Sequence, residues 1–159
     1  MQFCNTAKSI IKIIIMIINE FRTGASFWLF SPHVGVLALL HLSVGDPMAA
    51  MTAGGFRYSN GKSFGGFVGC ALACSAVTVI FCYLTARYEF LDEFAVDGIE
   101  GMKVVVYSIV GGIITAGVEI GFLEMLGWPL GKVDDNFTIP VIGGFALSKL
   151  GESLVLSSQ

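Results

Sequence analysis

Charged side chains are scarce in this chain: 9 Lys and Arg and 12 Asp and Glu among 159 residues, 13% in all, for a net charge of -3. Soluble globular domains carry charge on about a quarter of their residues, so this supply is too small to cover one. The basic residues are scattered, which excludes nucleic acid as a partner, because a phosphate backbone calls for a clustered basic face. The 4 cysteines, Cys4, Cys70, Cys74 and Cys82, show no spacing that asks for an oxidising compartment. Internal repeats, low-complexity tracts and a soluble domain are also missing. What fills the chain is apolar: 55% hydrophobic residues and a mean hydropathy of +0.80. This composition defines an integral membrane protein whose first partner is the lipid bilayer, with residues 1–159 as a single domain.

A membrane helix needs about 20 mostly apolar residues, and residues 25–44, 64–85 and 104–126 meet that requirement. Two further runs are weaker. Residues 10–18 are short and interrupted by Lys12, and residues 138–156 are interrupted by Lys149 and Glu152, whose i,i+3 spacing lets them pair on one helix face. The expected architecture is an all-α, polytopic transmembrane bundle of about four to five helices, with residues 1–21 as a weak or partial first segment. The 10–18 run has the length of a signal-peptide core, but Glu20 and Arg22 stand where cleavage would need small residues. If the three firm spans each cross once, the segments 46–63 and 127–136 share one membrane face and 87–101 lies on the other. Lys and Arg are too evenly divided to orient the chain.

The first polar segment holds Asp46, Gly54, Gly55, Arg57, Asn60, Gly61, Lys62, Ser63, Gly65 and Gly66. Glycine leaves backbone N–H groups accessible, and a helix starting near Ser63 would aim its positive dipole end into the same loop. With Lys62 and Arg57, these features make a phosphate cradle. The pattern is not a P-loop, because Phe56 stands where the first glycine would be. The same residues also read as a plain turn at Asn60-Gly61, a capped helix start at Ser63 and a small-residue packing stripe of Gly65, Gly69 and Ala73. Glu119 lies late in the 104–126 span with Thr115 one turn before it, and an ionisable residue inside a span marks a functional site by default. Asp46, Glu119, Glu124, Asp134 and Asp135 gather toward the face that bears Lys62 and Arg57. Carboxylates and basic groups together suit a Mg²⁺-bound nucleotide. The remaining polar residues have structural readings: His33 and His41 as hydrogen-bonding groups, the span cysteines as small packing residues, Trp28 and Trp128 as interfacial anchors, and residues 87–100 as a headgroup-level loop.

Taken in order, the motifs Thr23-Gly24, Gly45-Asp46-Pro47-x-Ala49-Ala50, Gly61-Lys62-Ser63-x-x-Gly66, Glu119 and Asp135-Asn136-x-Thr138-x-Pro140 resemble the CTP-dependent lipid kinases. That family includes dolichol kinase, phytol kinase and fungal-type diacylglycerol kinase and is related to phosphatidate cytidylyltransferase. The resemblance covers residues 22–147 as a catalytic region. It implies transfer of the γ-phosphate of CTP to a membrane lipid alcohol with Mg²⁺ or Ca²⁺, at an endoplasmic reticulum or plastid membrane with the site on the cytosolic face. It also implies roles: Lys62, Ser63, Gly61, Gly66 and Arg57 for the triphosphate, Asp46 and Asp135 for the metal, Asn136 for orienting a phosphate or the lipid hydroxyl, and Glu119 as general base or second metal ligand. Neither the acceptor lipid nor the oligomeric state is legible in these motifs. The chain departs from the family pattern at Ala53, usually glycine, and at Gly65, often glutamate. It also has fewer residues ahead of Thr23 than the family's extra helices need, so it looks like the carboxy-terminal catalytic part. Two other classes remain open: a cytidylyltransferase making a CDP-lipid, and a non-catalytic, truncated membrane paralogue.

Overall fold

The computed structural model describes residues 29–58, 60–87, 101–121 and 139–156. Every regular element in them is helical: α1 spans Pro32–Met51, α2 Phe64–Arg87, α3 Met102–Glu119 and α4 Gly144–Leu156, the last entered through a π-helical turn, Ile139–Gly143. Helices α1 to α3 are each long and apolar enough to cross a membrane. At 13 residues α4 rises about 20 Å, short of the ~30 Å hydrocarbon core. Leu72, Val79, Ile80, Tyr83, Ile109, Ile113 and Phe145 point outward; helices apolar on their outer faces suit a bilayer and not water. The result is the all-α membrane bundle that the composition required. Residues 10–18, Thr23, Gly24, Trp28, the 88–100 loop, Glu124, Trp128, Asp134, Asp135, Asn136 and Thr138 lie outside the described residues.

Helix boundaries differ from the sequence expectation in two places that matter for the site. The first span does not stop at Val44: α1 continues through Asp46 and Pro47 to Met51. Proline forfeits one backbone hydrogen bond, but Met48, Ala49 and Ala50 are good helix formers, and the Thr52 N–H donates to the Met48 carbonyl at 3.0 Å to close the end. In contrast, α3 stops early, at Glu119 rather than beyond it. The N–H groups of Ile120 and Gly121 donate to Ala116 and Val118, and Gly121 has φ +74°, a left-handed ending that glycine alone adopts without strain. Glu119 is therefore the last residue of its helix and not an interior one.

Helix α2 packs between α1 and α3, and α4 packs on α3, while the π turn lies against α1 and α3. Small residues set these approaches. A Cβ on Gly45 would lie 3.0 Å from the sulfurs of Cys70 and Cys74, one on Gly112 2.6 Å from the Ala71 carbonyl oxygen, and one on Gly111 2.7 Å from Leu147. Close approach of this kind replaces the hydrophobic driving force that lipid removes. The buried line on α2 is Gly66, Cys70 and Cys74 with Gly69 beside it, while Gly65 and Ala73 are only half-buried, so the expected stripe is rotated by about one residue. Cys70, Cys74 and Cys82 are free and buried, as packing residues. At the centre, His41 joins three helices: Nδ1 is 2.8 Å from Thr115 Oγ1 and Nε2 is 2.7 Å from Thr78 Oγ1. The Thr78 hydroxyl donates to the Cys74 carbonyl, so its oxygen accepts from His41 Nε2–H, and Nδ1 accepts from Thr115. On α4, Lys149 and Glu152 form the expected i,i+3 pair at 2.7 Å.

Candidate functional site

The end of α1, the start of α2 and the end of α3 meet at one end of the bundle, joined by the loop that follows α1. The loop folds back on itself as a small hairpin. Tyr58 N–H donates to the Lys62 carbonyl at 2.8 Å, Phe64 N–H to Phe56 at 2.8 Å, and Gly61 N–H to Tyr58 at 2.9 Å, around an antiparallel bridge between Arg57 and Ser63. Gly61 has φ +83°, as the Asn60-Gly61 turn signal requires. Ser63 caps α2: its Oγ accepts from the Gly66 N–H and, across the loop, from the Gly54 N–H, each at 3.1 Å. Thr52 fastens the other edge, its Oγ1 lying 2.7 Å from the Met48 carbonyl oxygen and 3.0 Å from that of Gly65.

The tip of the hairpin is docked on the end of α3. Asn60 Nδ2 donates to the Ile120 carbonyl at 2.5 Å. Lys62 Nζ donates to the Glu119 backbone carbonyl and, at 2.9 Å, to its carboxylate Oε1. Glu119 is only 5% exposed. A buried carboxylate is tolerated when a cation meets it, and the last carbonyls of a helix carry partial negative charge that favours a lysine there.

Beside this clasp lies a cavity of about 160 Å³ whose wall carries Arg57, Gly61, Lys62, Ser63 and Gly66, closed on its apolar side by Ala49, Phe67 and Ile120. All five residues expected around a triphosphate therefore line one space. Four backbone N–H groups of this loop and helix start are committed elsewhere, however. Those of Gly61, Lys62, Gly65 and Gly66 donate to Tyr58, the Asn60 side chain, Gly54 and the Ser63 hydroxyl. An anion in this cavity is met by side chains: the Lys62 ammonium, the Arg57 guanidinium, which also donates to the Gly61 carbonyl at 3.2 Å, and the Ser63 O–H, whose oxygen already accepts two bonds.

Asp46 is exposed on α1, one turn before Ala49 on the helix face that leads to the cavity. Among the described residues no three His, Cys, Asp or Glu side chains gather to hold a metal ion. Glu119 is engaged with Lys62; of the two expected metal ligands, Asp46 is exposed on α1 and Asp135 lies outside the described residues together with Asn136. Asn60 is the contact that the sequence hid. Asn-Gly announces a turn, and nothing local tells that the asparagine amide reaches a helix end sixty residues on.

The fold and site define a helical membrane protein with a basic, glycine-rich loop clasped to the end of a spanning helix. No protein-family model, curated protein or solved structure matches this chain.

Proposed function

We propose that this protein transfers the γ-phosphate of CTP to the hydroxyl of a membrane lipid alcohol: diacylglycerol, a dolichol-type polyprenol or phytol. The observation that carries this reading is the convergence of Arg57, Gly61, Lys62, Ser63 and Gly66 on one small cavity at the end of three membrane-length helices. Phosphoryl transfer asks a protein mainly for positioning and charge neutralisation, with no covalent intermediate. Lys62 and Arg57 supply the neutralising charge, and Ser63 a hydroxyl donor. The loop's place at the bundle end suits a reaction between a water-soluble nucleotide and a lipid hydroxyl at headgroup depth. Asp46 stands next to that space as a carboxylate for the nucleotide's Mg²⁺ or Ca²⁺ to meet. The reading places the protein in an endoplasmic reticulum or plastid membrane with the loop facing the cytosol.

Membranes containing the protein, incubated with γ-labelled CTP, Mg²⁺ and a panel of diacylglycerol, dolichol and phytol, should transfer label to one of these lipids. Lys62→Ala and Asp46→Asn should each abolish that transfer. Label in no lipid sinks the kinase reading, and a CDP-lipid formed from α-labelled CTP would replace it with a cytidylyltransferase.

A further inference from the structure

We infer that Glu119 is a positioning residue: it holds the Lys62 ammonium at the edge of the cavity and acts on a bound phosphate only through Lys62. The inference rests on the phosphate reading of that cavity.

Lys62 directly follows the Asn60-Gly61 turn and lies on a largely exposed hairpin. A lysine so placed samples many rotamers in water, and fixing it only when a ligand arrives weakens binding. Here the ammonium is fixed beforehand. Two oxygens of one residue, the backbone carbonyl and Oε1 of Glu119, receive it together, and Asn60 ties the same hairpin to the next carbonyl, that of Ile120. The anchor is rigid because Glu119 is the last residue of a membrane-length helix and is 5% exposed, while the Lys62 side chain retains 30% exposure. One partner is thus held by the fold and the other is left facing the space lined by Arg57, Ser63 and Gly66. This is the arrangement of a group that orients a binding side chain. It differs from that of a base, which must present a carboxylate oxygen to the reacting hydroxyl, whereas Oε1 is taken by Lys62 and Oε2 is buried.

The test is a double-mutant cycle on the full chain in detergent, with inorganic tripolyphosphate as the probe. Glu119→Gln should weaken tripolyphosphate binding roughly 10- to 100-fold, the range usual when a group orienting a ligand-binding side chain is lost. In a Lys62→Met background the same change should matter by less than about twofold, since sites that act as a unit are non-additive. Equal losses in both backgrounds would overturn the inference while leaving the phosphate reading intact. Failure of the wild-type protein to bind tripolyphosphate would overturn both. Removing Lys62 alone strands a buried carboxylate, so thermal unfolding is followed for each variant, and the Glu119 variants supply a second measure that does not need Lys62→Met to fold. Glu119→Asp, which keeps the charge, should recover part of the affinity lost in Glu119→Gln. In turnover, Glu119→Gln should raise KM for CTP and leave kcat within a few fold. A kcat loss of about 100-fold or more at unchanged KM is the signature of a general base and would overturn the positioning role.

Discussion

A Cβ on Gly65 would lie 2.5 Å from the Thr52 carbonyl oxygen and 2.8 Å from that of Gly54. The residue that breaks the family-like pattern is therefore required here by the way the loop closes over the start of α2. Introducing the pattern's glutamate should not add function. Gly65→Glu is expected to destabilise the protein by about 1–3 kcal/mol through overpacking and to abolish tripolyphosphate binding; a variant that binds as tightly as wild type, with an unchanged unfolding temperature, would show that the loop has another way to close. Ser63 makes a related point at the same scale. Its hydroxyl is both a helix cap and a bridge to Gly54, so the bland and the functional readings of Gly61-Lys62-Ser63 describe the same atoms: the cap builds the cavity that the side chains then line.

Between elements, the bundle is held by close contacts of small residues and, at its centre, by a polar clasp. His41 takes a bond from α3 through Thr115 and gives one to α2 through Thr78. Interhelical hydrogen bonds in membranes are worth about 0.6 kcal/mol each on average, so His41→Leu, which keeps the volume and removes both, should lower stability by about 1 kcal/mol. Thermal unfolding in detergent measures this, and a loss near zero would mean that the clasp is incidental to packing. The same helices explain what was and was not legible locally. The 64–85 run gave α2 almost residue for residue because its apolar stretch is bounded by a serine cap and by Arg87. The ends of α1 and α3 were misplaced because hydropathy does not see a proline that a helix tolerates, nor a glycine at 121 that ends one inside an apolar run.

Across the whole molecule, α4 runs antiparallel to α3: Gly143 lies beside Thr115, and the Leu154 carbonyl accepts from Lys103 Nζ at 2.7 Å. The far end of α4 thus returns to the side of the bundle opposite the loop. In a Cys4→Ser background the remaining cysteines are buried, so single cysteines report sidedness. Arg57→Cys should react with a membrane-impermeant maleimide from one side of sealed vesicles, and Arg87→Cys and Ser153→Cys from the other. Labelling of all three from the same side would contradict an odd number of crossings by α2. Composition and run length by themselves determined the solvent, the helical class and the three firm spans, because burying backbone polar groups in lipid permits little else. The pairing of Lys62 with Glu119, the reach of Asn60 to Ile120 and the commitment of the glycine amides within the loop were decided only by the tertiary structure. The first two depend on which residues a loop and a distant helix end bring within about 3 Å of each other, the length of a hydrogen bond, and the third on how the loop closes on itself; no local pattern encodes those distances.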